Sequence, residues 1–242
     1  MYPNDTNLLI KNGKEISHLL DLEWLTSVML IIGIDLVLGG DNAIVIALAS
    51  RKLPDRQRNK AIFLGTLLAV FIRVSLTMIA VHLLQLPYLL ILGGLLLIWI
   101  AYNLLVEEKE TETIHASRSL LGAIRTIVVA DLVMGLDNVL AIAGAANGDI
   151  TLIIIGLLIS VPIIIWGSKL ILLAMEQFPA LIYIGAGILS LTAGKMITSA
   201  EELTLILIQF PALENGIQFA IITGVILAGW TTNRLRSSNA NS

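Results

Sequence analysis

"GIDLVLGGDNAIVIALA", Gly33 to Ala49, sets Asp35, Asp41 and Asn42 inside a run that otherwise reads as lipid-soluble. A second stretch, "VVADLVMGLDNVLAIAGAA" from Val128 to Ala146, repeats the pattern with Asp131, Asp137 and Asn138, each 96 residues on. Ionisable side chains in a membrane segment are costly, and those retained face a partner, a wet cavity or an ion path. Fold and function both turn on why this chain carries two such sets.

Around the motifs, the 242-residue chain is 57% hydrophobic and 14% charged, whereas a soluble domain has about 45–50% and about 25%. Several apolar runs reach about 20 residues, enough to cross a hydrocarbon layer of about 30 Å. The chain is therefore expected to be an all-α polytopic membrane protein in the lipid bilayer. A net charge of −3, with no basic cluster interleaved with aromatics, argues against nucleic acid as a partner. With no cysteine, disulfides, thiolate metal sites and cysteine nucleophiles are excluded. The charged start (Asp5, Lys11, Lys14, Glu15, Asp21, Glu23) has no short apolar core and cleavage site after it, so no cleavable signal is expected.

Hydropathy and turn signals mark seven transmembrane helices: Trp24–Ser50, Lys60–Leu84, Tyr88–Val106, Leu120–Ala146, Ile150–Met175, Ala180–Ser199 and Gly216–Trp230. The short connections Gln85–Pro87 and Asn147–Asp149 predict antiparallel hairpins. Ten cations fall on one side: Arg51, Lys52, Arg56, Arg58, Lys60, Lys109, Arg118, Arg125, Arg234 and Arg236. Only Lys11 and Lys14 fall on the other, so the positive-inside rule puts the N-terminus outside and the C-terminus in the cytoplasm. Lys169 is close enough to a helix end to snorkel, whereas Arg73 and Lys195 lie within spans.

The repeat extends past the motifs, because "PYLLILGGLLLI" from Pro87 resembles "PALIYIGAGILS" from Pro179. The chain then divides into a polar external segment (1–23), a three-helix repeat (24–106), an acidic cytoplasmic linker (107–119), a second three-helix repeat (120–199), an external acidic loop (200–215), and an appended seventh helix with its tail (216–242). Units with an odd number of spans insert in opposite orientations. Two inverted repeats with interrupted helices are a transporter architecture whose site lies near the midplane.

Four aspartates at mid-membrane cost on the order of 10–14 kcal/mol before compensation. Arg73 and Lys195 cannot neutralise all four. In an unbroken helix Asp35 and Asn42 share a face while Asp41 lies about 120° away. Gly39 and Gly40 in the first motif and Gly135 in the second lower the cost of unwinding, though close helix packing is an equal use of them. A local break there is expected to turn Asp41 towards Asp35 and to free backbone carbonyls. The resulting set is all oxygen: Asp35, Asp41, Asn42, Asp131, Asp137 and Asn138. Hard cations such as Mg, Ca or Mn suit such a shell, and zinc, copper or nickel do not. His18, His82 and His115 lie in polar or interfacial positions and are expected to be structural. A dication entering among protonated carboxylates would displace their protons, which makes proton coupling coherent.

On "DLVLGGDNAIVIA" and "DLVMGLDNVLAIA", in the first and fourth spans of a three-plus-three repeat, the chain resembles the TerC family of integral membrane proteins, in the short form of its YjbE-type bacterial members. That resemblance covers nearly all of the hydrophobic chain. It implies the LysE-like exporter group, a bacterial inner membrane, and a part in manganese export and tellurium resistance. It also implies that the six motif residues form the ion site, with Arg73 and Lys195 as intramembrane partners holding carboxylates while the site is empty. Leu136 stands where the first motif has Gly40, so the halves need not unwind equally. Tellurite, an anion, fits an acidic site badly, and any resistance to it would be indirect.

The expectation is a divalent-cation exporter, manganese favoured, with no catalytic reaction and no cofactor. The same residues would serve a platform handing metal to secreted proteins through a secretion-machinery partner, or a calcium or sodium antiporter. A homo-oligomer is compatible with the sequence. An intramembrane aspartyl protease is disfavoured, because Leu38 and Met134 stand where a GxGD motif needs its first glycine. The two "FPAL" segments, at Phe178–Leu181 and Phe210–Leu213, sit at helix starts, where proline is common.

Overall fold

A computed structural model describes residues 22–83, 86–106, 119–146 and 149–238. The polar start, residues 107–118 of the acidic linker, His18, His115 and the side chains of His82 and Asp137 lie outside the described residues. Within them every regular element is helical: α1 Leu22–Leu38, α2 Gly40–Ser50, α3 Asp55–Leu83, α4 Leu89–Leu105, α5 Leu120–Ala145, α6 Ile150–Gln177, α7 Ala180–Thr198, α8 Glu201–Gln209 and α9 Pro211–Ser238. Local chemistry starts several of them. Ser119 caps α5 through the Gly122 amide (2.9 Å), and Asp149 caps α6 through the Thr151 amide (2.8 Å).

Four helices, in α3, α6, α7 and α9, are long and apolar enough to cross a membrane, and the bent pair α1–α2 makes a fifth. The shorter α4 has 17 residues. The 26 residues of α5 extend about 39 Å at about 1.5 Å per residue and carry the second motif. Large apolar side chains such as Phe71, Trp99, Trp166 and Phe219 stand on the outside, as a lipid solvent requires. The chain is a polytopic, all-helical membrane protein.

The expected first span is two helices, bent by 51° at Gly39. The Gly39 amide still donates to the Asp35 carbonyl (2.8 Å), and the next ladder bond is the tighter one from Asn42 N to Gly39 O (3.0 Å). A Cβ on Gly39 would stand 2.5 Å from the Asp35 carbonyl oxygen, so this bend admits only glycine. At Gly135, the repeat-equivalent position, the helix continues unbroken, and an added Cβ would meet only Arg73 Nε, at 3.6 Å. The halves differ as Leu136 in place of Gly40 suggests.

The packing follows the repeat. Against α5 packs α3, and against α1 and α2 packs α6, the corresponding pairs of the two halves; α4 packs on α7. Close contacts make the relation specific. Gly65 of α3 faces Ile127 of α5, and Gly156 of α6 faces Ile31 of α1. Ile31 and Ile127 are separated by the same 96 positions as the paired aspartates.

Beyond the repeat the structure corrects one boundary. Residues expected as a loop from 200 to 215 form α8 and the first turns of α9, which starts at Pro211. Proline at the first helical position needs no amide partner, so "PALEN" begins a helix rather than ending a loop.

Candidate functional site

Asp35 lies one turn before the break in α1 and is 1% exposed. Opposite it, in the middle of α3, Arg73 is equally buried. Its Nη1 pairs with Asp35 and its Nη2 with Asp131 of α5, so one guanidinium joins the two repeat-equivalent aspartates. The planar fork of arginine suits this double role, since its two terminal nitrogens diverge in one plane. Two carboxylates against one guanidinium leave a formal charge of −1, in a medium where unpaired charge is penalised.

Neighbouring groups add bonds to both carboxylates, Asn42 on the Asp131 oxygen that Arg73 also binds and Ser160 on the other oxygen of Asp35. Asn42, in the first turn of α2, donates Nδ2 to Asp131 Oδ1 at 2.8 Å. Ser160 of α6 donates to Asp35 Oδ2 and also lies 2.9 Å from the Leu157 carbonyl. Asn138 of the second motif donates Nδ2 to the Leu38 carbonyl (3.4 Å), the last of α1 before the bend. Each motif's asparagine thus reaches into the other motif. A carbonyl freed by the bend takes a protein donor.

Asp41 is arranged differently from the expectation. The bend directs its carboxylate to α7, where Oδ2 accepts from Thr192 Oγ1 at 2.8 Å, while Oδ1 is buried without a donor. Its place in the first turn of α2 sets it at the positive end of that helix dipole. Lys195 is also placed otherwise: it is exposed in the last turn of α7 rather than buried with the carboxylates. Its flanking residues Ala193, Gly194 and Met196 take the inward positions, which turns the lysine outward. Among the described residues, both ion pairs of the interior belong to Arg73.

Of the expected site residues, the structure therefore brings together Asp35, Asn42, Asp131 and Arg73, with Gly135 beside Arg73. Asp41 is held apart on Thr192, and Gly40 has open space where a side chain would be. Ser160 and Thr192 are site residues that sequence reading missed; a lone hydroxyl in an apolar span carries no periodic or charge signal. Among the described residues no three Asp, Glu or His side chains gather closely enough to hold a metal ion. A cation would have to draw on neutral oxygens as well as carboxylates.

A cavity of about 20 Å³ adjoins the cluster, lined in part by Asp35, Asn42, Thr66, Arg73 and Asp131. A larger one, of about 670 Å³, opens between the ends of α2, α4 and α5, and Arg51, Lys52 and Arg125 line it. Its basic lining opposes a cation.

Comparison with known proteins places these features in a family. The profile of the integral membrane protein TerC family matches residues 20–237. The Bacillus subtilis membrane protein YjbE is 52% identical over 206 residues, which cover 85% of this chain and 94% of that protein. A Haemophilus influenzae UPF0053 protein is 27% identical over 203 residues, 76% of this chain and 85% of its own length. The Escherichia coli UPF0053 inner membrane protein YgdQ is 27% identical over 188 residues, 70% of this chain and 79% of its own. No solved structure matches.

Proposed function

The chain belongs to the integral membrane protein TerC family, and from that premise we propose that it exports a divalent metal cation, manganese in preference to others, through a midplane site shared by two inverted three-helix halves. The observation that carries this reading is the convergence of Asp35 and Asp131, equivalent residues of the two halves, on one buried arginine. A structural ion pair needs one carboxylate; two, with Asn42 bonded across and Asp41 nearby in sequence, give more negative charge than Arg73 answers. A dication competes for such a pair, and proton exchange supplies a route to discharge it.

Counting α1–α2 as one crossing, with α3, α4, α5, α6, α7 and α9, gives seven spans and an N-out, C-in orientation by the cation distribution. The membrane is the bacterial inner membrane, as the name of YgdQ states for that relative. We assign the protein no catalytic reaction. Preference for manganese rests on the family resemblance together with an all-oxygen donor set.

The decisive experiment measures cell manganese in an exporter-deficient bacterium expressing the wild type, Asp41→Asn or Asp137→Asn. Wild type is expected to lower metal content and restore tolerance, and both variants to lose the effect. Unchanged metal content with wild type sinks the transport reading; full protection by both variants sinks the site. Proteoliposomes containing the purified protein alone separate transport from handing metal to secreted proteins. Competition by calcium or sodium in the same vesicles tests the antiporter alternative.

A further inference from the structure

The cavity of about 670 Å³ between the ends of α2, α4 and α5 has no part in the aspartate cluster. Two helices each give it one face. On α4 that face is Leu96, Trp99, Ile100 and Asn103, and on α5 it is Gly122, Arg125, Thr126 and Val129. Both sets follow the spacing that places residues side by side along a helix. Leu96 lies about 14 Å along the axis from Leu105, the end of α4, at about 1.5 Å per residue. The cavity therefore runs from the helix ends well into the apolar layer.

Its polarity is graded along that depth. The cations stand near the helix ends: Arg51 and Lys52 just past α2, and Arg125 in the second turn of α5. The Lys52 ammonium donates to the Val106 carbonyl at the end of α4 (3.3 Å), which keeps it at the rim. Among the described residues no carboxylate lines the cavity. Deeper in, Leu48, Leu96, Ile100 and Val129 make the walls apolar. Trp99 both lines the cavity and is 61% exposed on the outer surface, so the space opens sideways to lipid. Tryptophan is enriched where headgroups meet hydrocarbon.

We propose that this cavity seats an anionic phospholipid, with its phosphodiester headgroup against Arg51, Lys52 and Arg125 and the upper part of its chains along Leu96, Ile100 and Val129. Basic pockets between membrane helices are suited to anionic headgroups, and the volume lies within the range of about 300–1,000 Å³ usual for small-molecule sites. A free phosphate leaves the apolar depth unused. A zwitterionic lipid brings an ammonium group that the three cations repel. The proposal rests on the membrane-spanning fold and not on the export reading. A lipid seated here joins the end of α2, which carries Asp41 and Asn42, to α5, which carries Asp131. It ties the two motif-bearing helices together at the basic-loop side.

The test uses full-length protein, purified in detergent and stripped of lipid, with dioleoylphosphatidylglycerol as the probe and dioleoylphosphatidylcholine as its zwitterionic counterpart. Binding is read by native mass spectrometry as lipid retained on the protein, and by the rise in melting temperature that the lipid produces. Phosphatidylglycerol is expected to bind saturably and to raise the melting temperature, and phosphatidylcholine at the same concentration to do neither. Lys52→Gln combined with Arg125→Gln is expected to weaken binding roughly 25-fold, about fivefold for each charge that meets an anionic lipid. Val129→Phe fills the apolar depth, leaves every cation in place, and is expected to weaken binding too. Arg56→Gln removes an exposed charge in the first turn of α3, outside the cavity, and is expected to bind as wild type does. Equal retention of the two lipids, or displacement of the bound lipid by inorganic phosphate, overturns the assignment. So does wild-type affinity in either the double cation variant or Val129→Phe. A loss in Arg56→Gln as large as in the cavity variants would mean diffuse attraction to a basic surface, and no seated lipid.

Discussion

The Asn42 side-chain amide lies 2.8 Å from Asp131 Oδ1, so the asparagine of the first motif is bonded to the aspartate of the second. The motifs are 96 residues apart in sequence, and this bond, with the shared arginine, closes them into one cluster. The cluster is the point at which the two halves of the repeat depend on each other.

That dependence is measurable as a coupling. In a double-mutant cycle on Asn42→Ala and Asp131→Asn, followed by thermal unfolding in detergent, the two changes are expected to be non-additive by about 0.5–3 kcal/mol. Strict additivity would mean that the bond contributes nothing beyond the separate residues.

Arg73 holds two carboxylates at once, so its removal strands both. Arg73→Met is expected to destabilise by about 3–5 kcal/mol or more, the usual cost of an uncompensated buried charge. Adding Asp35→Asn and Asp131→Asn to Arg73→Met should recover much of the loss, since nothing charged is then left behind. The comparison of melting temperatures for the single and triple variants decides it. A triple variant no more stable than the single one would contradict the pairing.

Adjacent glycines should respond very differently. An added Cβ at Gly39 meets the Asp35 carbonyl at 2.5 Å, while at Gly40 nothing lies within 4 Å. Gly39→Ala is expected to cost about 1–3 kcal/mol, as overpacking against backbone does, and to lower manganese export with it. Gly40→Ala should be close to neutral in both assays. Equal tolerance at the two positions would show that the bend does not depend on that close approach.

The repeat makes a matched prediction away from the cluster. Gly156→Ala would drive a Cβ to 2.5 Å from Ile31, whereas Gly65→Ala meets Ile127 at 3.1 Å. Gly156→Ala should therefore be the more damaging, and Ile31→Ala, which removes the Cγ2 that the new Cβ meets, should cost less in the Gly156→Ala background than in the wild type. Melting of the five proteins, wild type and the double variant included, checks both the order and the rescue.

Thr192 separates Asp41 from the arginine cluster. Thr192→Val removes the donor to Asp41 Oδ2 and leaves a buried carboxylate with fewer partners, at an expected cost of about 1–3 kcal/mol. Thr192→Ser should keep most of the stability. Indistinguishable melting of the Val variant and wild type would mean that the 2.8 Å contact does not hold Asp41 in place.

Much of this was legible in the one-dimensional pattern, because the membrane simplifies the code. A chain that is 57% hydrophobic has to satisfy its backbone within helices, so helix class and approximate spans follow from composition and run length. The 96-residue recurrence of Asp-x5-Asp-Asn pointed to two related halves, and the glycines of the motifs marked where a break could fall, of which the structure breaks at Gly39. Sequence also singled out Asp35, Asn42, Asp131 and Arg73, because charge in an apolar span has no other ready explanation. It could not say which carboxylate the arginine takes. Nor could it foresee that α5 runs unbroken through Gly135, that Asp41 turns to Thr192, that Lys195 faces outward, or that Thr66 opens onto a cavity. Those outcomes depend on which helix faces lie opposite one another and on distances of an ångström or less. Hydroxyls and glycines carry no hydropathy signal that could reveal such neighbours, so only the packed structure assigns their roles.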